Sequence, residues 1–167
     1  LLAGSNPTRL AAADFDRNGT VDLLVASSGD GSLHLFRNTA AVGAGAGNVL
    51  LASFGEGLGS PWQLGQGEPQ HLQLSDVNGD GNPDAVVITA TTNGGVRSTA
   101  IGIYLSRGDG LFDDFIPVSP SRMGNRNATL AADLGDWNRD GLPDLLLGWS
   151  SSAQGDINLR VLFGGTR

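Results

Sequence analysis

The 167-residue chain is 40% hydrophobic, carries 26 glycines and 7 prolines, and has a formal net charge of −7. That length suits one domain with a real core, and the acidity, with no Lys and no Arg cluster to neutralise phosphates, argues against nucleic acid as a partner. No apolar run approaches the roughly 20 residues of a membrane-spanning helix, no signal peptide is visible, and without Cys there is neither disulfide framework nor thiol chemistry, so cysteine usage leaves the compartment open.

In chain order, apolar residues first alternate at Leu10 and Ala12, the period-2 pattern of a half-buried strand. An acidic loop, DFDRNGTVD, follows from Asp14 to Asp22. Then come an apolar run (Leu23 to Val25), a Gly-Asp-Gly turn (Gly29 to Gly31), a strand pattern (Leu33 to Phe36) and a weaker one (Val49 to Phe54). A connector rich in Gly, Pro and Gln contains Trp62.

The whole sequence of signals then recurs. Leu72 and Leu74 precede DVNGDGNPD (Asp76 to Asp84), followed by Ala85 to Ile88, Ile101 to Leu105, the turn Gly108 to Gly110, and Phe115 to Val118. Ala132 and Leu134 precede DWNRDGLPD (Asp136 to Asp144), followed by Leu145 to Leu147 and Leu159 to Phe163. The loops start 62 and 60 residues apart, and all read D-x-[DN]-x-[ND]-G-x-x-D. No segment sustains apolar spacing at i, i+3, i+4. Four short antiparallel strands per unit of roughly 60 residues predict an all-β fold of β-propeller blades. The blades fall at about 8–54, 70–118 and 129–167, with 1–4 placed as an outer strand of a neighbouring blade.

Each loop offers oxygen ligands at alternate positions, as a calcium loop does: side chains at positions 1, 3 and 5, the carbonyl at 7, and a closing carboxylate at 9. The residues are Asp14, Asp16, Asn18, Thr20 and Asp22, then Asp76, Asn78, Asp80, Asn82 and Asp84, and finally Asp136, Asn138, Asp140, Leu142 and Asp144. Glycine at position 6 (Gly19, Gly81, Gly141) permits a backbone conformation a side chain would resist. An EF-hand would need Glu at position 12, where Val25, Val87 and Leu147 stand, so that reading fails. Bare Asn-Gly and Asp-Gly turns explain the glycine but not three carboxylates per loop. Hard oxygens without His or Cys favour Ca²⁺ over transition metals. Nine of the 17 acidic residues lie in these loops, and three Ca²⁺ would take the net charge from −7 to −1.

With these residues in view, the chain resembles the FG-GAP/VCBS repeats of integrin-α-like β-propellers. The three acidic loops carry the resemblance, together with LSRGDGLF (Leu105 to Phe112), which is similar to the Gly-Asp-Gly turn of such blades. The resemblance implies an extracellular, cell-surface or periplasmic setting and a non-catalytic role in adhesion, binding or assembly. A carbohydrate-binding lectin and an accessory propeller of a secreted hydrolase are the alternatives. Members usually close six to eight blades, and three are expected here.

Other signals have plainer readings. Arg107-Gly108-Asp109 lies in a turn the repeat uses anyway. His34 and His71 sit singly in strand patterns, with no nucleophile beside either in sequence, so no catalysis is expected. The sequon at Asn18 uses a metal-loop residue, and another stands at Asn127. Trp137 and Trp149 read as packing residues, which leaves Trp62 as the weak candidate for ligand binding. A chain beginning at Leu1 reads as mature, processed or incomplete, and the last unit lacks a fourth strand. Three blades are too few to close a ring, so the expected partner is a protein: the remaining blades of a propeller, or a second copy completing six. A glycan is the alternative partner.

Overall fold

The computed structural model describes residues 3–40, 53–57, 59–64, 67–113, 115–118, 130–150 and 157–164. Among these residues there is no helix, and the strands form three antiparallel sheets. The first contains β1 (Pro7–Ala13), β2 (Asp22–Ser27), β3 (Ser32–Asn38) and β4 (Phe54–Glu56), with the short β5 (Trp62–Gln63) also paired to β3. The second runs β6 (Glu68–Ser75), β7 (Asp84–Asn93), β8 (Val96–Tyr104) and β9 (Ile116–Val118). The third runs β10 (Leu130–Gly135), β11 (Asp144–Ser150) and β12 (Ile157–Leu162). This is the expected blade architecture, and it forms no closed ring among the described residues.

Each acidic loop joins the first two strands of its sheet in the same register. Ala13 pairs with Asp22, Ser75 with Asp84 and Gly135 with Asp144. The loop's last aspartate is therefore also the first residue of the second strand. At the other end of the second sheet, β7 and β8 stay paired out to Asn93 and Val96. Gly94 and Gly95 both have positive φ there, as a two-residue hairpin turn demands.

The continuous apolar runs are explained by two seams. In β7, Ala85 and Val87 face the first sheet, where they meet Phe15, Leu24, Ala26, Leu33 and Leu35. Val86 and Ile88 face the third sheet and meet Leu145 and Leu147. Alternate side chains of one strand thus fill opposite seams, and both are buried. The first seam is aromatic: Phe112 lies 5.4 Å from Phe15 and 5.1 Å from Trp62, ring centre to ring centre. Tyr104 is buried beside them and its hydroxyl donates to the Gln63 carbonyl, while burial raises its pKa.

Several expectations are corrected at the ends of the stack. Leu72 and Leu74 are partly buried against the first seam, and Ala132 and Leu134 against the second. Their counterpart Leu10 is 62% exposed and Ala12 is exposed, because that face looks toward a preceding sheet and none is present among the described residues. The side chain at loop position 2 points the other way, toward the following sheet. Phe15 and Val77 fill seams there, whereas Trp137, expected to pack, is 45% exposed. Trp149 packs against the second seam, as expected. Of the weak strand expected at Val49 to Phe54, only Phe54 is in strand, and 49–52 lie outside the described residues. Leu1 and Leu2 also lie outside them. Ala3 and Gly4 are not in a strand, and the Ala3 carbonyl accepts the Ser27 hydroxyl of the first sheet.

One glycine is required by close approach. The Phe115 ring lies directly against Gly102 of β8, and a methyl there would overlap it. Gly102→Ala is expected to cost about 1–3 kcal/mol through displaced packing, measured by urea unfolding. An unchanged midpoint would show that Phe115 can move aside freely.

Candidate metal centre

The three loops are built by one hydrogen-bonding scheme. At position 1, Asp14 accepts the N–H groups of Asn18 (3.1 Å) and Gly19 (2.9 Å). Asp76 accepts from Gly79 (2.8 Å), Asp80 (3.0 Å) and Gly81 (2.8 Å), and Asp136 from Asp140 (3.1 Å) and Gly141 (3.0 Å). At position 3, Asp16, Asn78 and Asn138 each accept the N–H at position 5. At position 5, Asn18, Asp80 and Asp140 each accept the N–H of Thr20, Asn82 and Leu142 at position 7. Short side-chain acceptors two residues before each donor are what make Asp and Asn good turn residues.

Position 6 has the anticipated positive φ, +82° at Gly19, +83° at Gly81 and +89° at Gly141. Position 4 shares that conformation, which the sequence reading missed: Arg17 has φ +56°, Gly79 +77° and Arg139 +64°. The glycine at position 79 was the signal that could have revealed it.

Position 9 is the most constrained. Asp22, Asp84 and Asp144 are each 0% exposed. One carboxylate oxygen of each accepts the N–H at loop position 2: Phe15 (2.9 Å), Val77 (2.9 Å) and Trp137 (2.8 Å). The other reaches the end of the third strand or just beyond it, accepting from Asn38 (2.7 Å), Ser106 (2.8 Å) and Gly164 (2.9 Å). Burial raises the pKa of Asp22 and Asp84 despite these bonds, and neighbouring loop carboxylates push in the same direction.

In the first loop, oxygens of Asp14, Asp16 and Asp22 lie within 4.8 Å of one another. Two oxygens bound at 2.3–2.6 Å to one Ca²⁺ are separated by at most about 5 Å, so this donor set fits the ion. No other group of three carboxylates converges so closely among the described residues. In the second and third loops, position 3 is an Asn whose amide donates sideways to the position-5 carboxylate: Asn78 to Asp80 (2.9 Å) and Asn138 to Asp140 (2.8 Å).

The remaining sequence signals are placed as follows. Arg107 pairs with Asp113 at 2.5 Å, and Asp109 accepts the Leu111 N–H, so Arg-Gly-Asp serves its own turn. His34 is buried, with Nε2 at 2.7 Å from the Ser32 hydroxyl and 3.2 Å from Asp30. Both neighbours meet the same ring nitrogen and Ser32 is itself buried, so no accessible nucleophile results. His71 contacts Gln73. Trp62 is held edge-on against Phe112 in the first seam. Asn127 lies outside the described residues.

Residues 76–147, from the second loop through the third and into β11, match the family model of the FG-GAP-like repeat. The matched stretch is thus similar to an FG-GAP-like repeat, a repeat of propeller-type modules. Neither the curated proteins nor the solved structures contain a match.

Asp84→Ala would strand two backbone N–H groups, at Val77 and Ser106. It is expected to cost about 2–4 kcal/mol in denaturant unfolding, against less than about 0.5 kcal/mol for Arg17→Ala at an exposed position. Comparable losses for the two would contradict the clamp.

Proposed function

We propose that this FG-GAP-like repeat chain is a calcium-stabilised, non-catalytic propeller module that works outside the cytoplasm in binding, adhesion or assembly. The observation that carries the reading is the convergence of Asp14, Asp16 and Asp22 within 4.8 Å, all hard oxygen donors. The repeated ligand pattern in the other two loops extends it to three Ca²⁺. When bound, the ion supplies positive charge among these carboxylates. The chain's own contribution is the Asx-turn scheme that holds positions 1, 3 and 5 and the buried aspartate that ties each loop to its third strand.

The exposed apolar end faces, with Leu10 on one sheet and Leu159 and Phe163 on the other, support assembly with further blades, in the same polypeptide, in another, or in a second copy. A carbohydrate is the second reading. A polar cleft of about 730 Å³ between the first two sheets, opposite the acidic loops, is lined by Ser28, Glu68, Gln70, Thr91 and Thr92. Among the described residues no aromatic ring lines it, which weakens the case for sugar stacking.

Affinity in the weak extracellular range, on the order of 10⁻⁴–10⁻³ M, is expected for each loop. Millimolar calcium should raise the melting temperature by about 5–10 °C over excess EGTA, because a metal bound only to the folded state stabilises it by mass action. Identical melting curves would reject the calcium reading. A glycan array with and without calcium tests the second reading, and hydrolysis by the purified protein that is lost on mutating His34 would reject the non-catalytic one.

A further inference from the structure

The first loop differs from the others in where its charge sits. All three hold three carboxylates, but the second and third place theirs at positions 1, 5 and 9, whereas the first uses 1, 3 and 9. Position 5 is exposed in every loop, at Asn18, Asp80 and Asp140. Position 3 of the first loop is not: the Asp16 side chain is only 2% exposed. A carboxylate buried to that extent needs a partner.

That partner is Arg37, near the end of β3. Its Nε donates to Asp16 Oδ2 at 2.6 Å and its Nη2 donates to the same oxygen. The turn from the second sheet backs the pair, since a methyl on Gly110 would come within 3.4 Å of Arg37 Cδ and Nε, and the Gly110 N–H donates to the Phe15 carbonyl at 3.0 Å. The strand registers identify the matching positions elsewhere. Phe36 pairs with Leu23, Tyr104 with Ala85 and Leu162 with Leu145, so the residues equivalent to Arg37 are Leu105 and Phe163. Where position 3 is Asp, the facing strand supplies Arg. Where position 3 is Asn, it supplies an apolar residue.

We propose that Arg37 is the resident counter-cation of the first loop: it holds Asp16 in place without metal and weakens that loop's response to calcium. The inference rests on the calcium reading above. Two consequences follow from the charge. Without metal, removing Arg37 leaves a buried carboxylate uncompensated. With metal, the guanidinium repels a nearby divalent ion, and the same removal lifts that repulsion.

Melting of the whole 167-residue protein in EGTA and in millimolar CaCl₂ tests this with wild type, Arg37→Gln, Arg37→Lys and the double variant Arg37→Gln/Asp16→Asn. In EGTA, Arg37→Gln should melt well below wild type, and adding Asp16→Asn should recover at least half of the loss. The calcium-induced rise in Arg37→Gln should exceed the wild-type rise, by up to about half if the three loops contribute equally, and should be close to wild type in Arg37→Lys, a charge dependence that a merely packing role would not produce. If Asp16→Asn recovers nothing, or if calcium raises wild type and Arg37→Gln equally, the proposal is overturned. If calcium leaves every variant unmoved, the calcium reading of the loops is rejected together with Arg37's effect on it. In that case, recovery by Asp16→Asn in EGTA still decides whether Arg37 compensates Asp16.

Discussion

A carboxylate taken fully out of water in each sheet is the constraint on which the arrangement depends. Asp22, Asp84 and Asp144 each join three parts of their sheet: the start of the second strand they belong to, the loop through the N–H at position 2, and the segment at the end of the third strand. A slip by one residue in the first hairpin would turn the carboxylate to the other face and leave those N–H groups without an acceptor. The cost of burying the group appears in the raised pKa of Asp22 and Asp84. The sheet therefore keeps one register, and the other loop oxygens are held relative to it.

From that fixed register follows the division of side chains between seams. Loop position 2 sits beside the clamp and projects toward the following sheet, so its identity sets the character of the seam. Phe15 introduces an aromatic seam completed by Trp62, Tyr104, Phe112 and Phe115. Val77 introduces an aliphatic one with Ile103, Val118 and Leu162. β7 serves both through alternation alone, and its run of apolar residues needs no other explanation. The Gly-Asp-Gly turn of the second sheet belongs to the same junction, since its Gly110 bonds back to Phe15 in the first. The acidic loops and the hydrophobic seams are consequently neighbours.

The three loops also differ in how their charge is managed. Exposed carboxylates at position 5, as in Asp80 and Asp140, are solvated and bonded by adjacent Asn side chains. The buried one at position 3 of the first loop has an arginine from its own sheet. A repeat can thus keep its backbone scheme while each copy distributes charge differently.

The sequence by itself determined the repeat, the three-sheet architecture, the position of each acidic loop between first and second strands, and the oxygen donors available in it. These are local matters: period-2 alternation, Asx turns and glycine at a positive φ are all set by neighbours in the chain. It did not reveal that position 9 would spend both oxygens on backbone N–H groups, because one donor comes from the end of the third strand or just beyond it, 16 to 22 residues away. Nor did it show Arg37 closing on Asp16, 21 residues earlier, or Trp62 forming a short strand and packing edge-on against Phe112. Alternation says that a strand has two faces, but which face is buried depends on the sheet beside it. Leu10 and Leu72 occupy the same place in the repeat, and one is exposed while the other is packed, because only the second has a neighbouring sheet against that face.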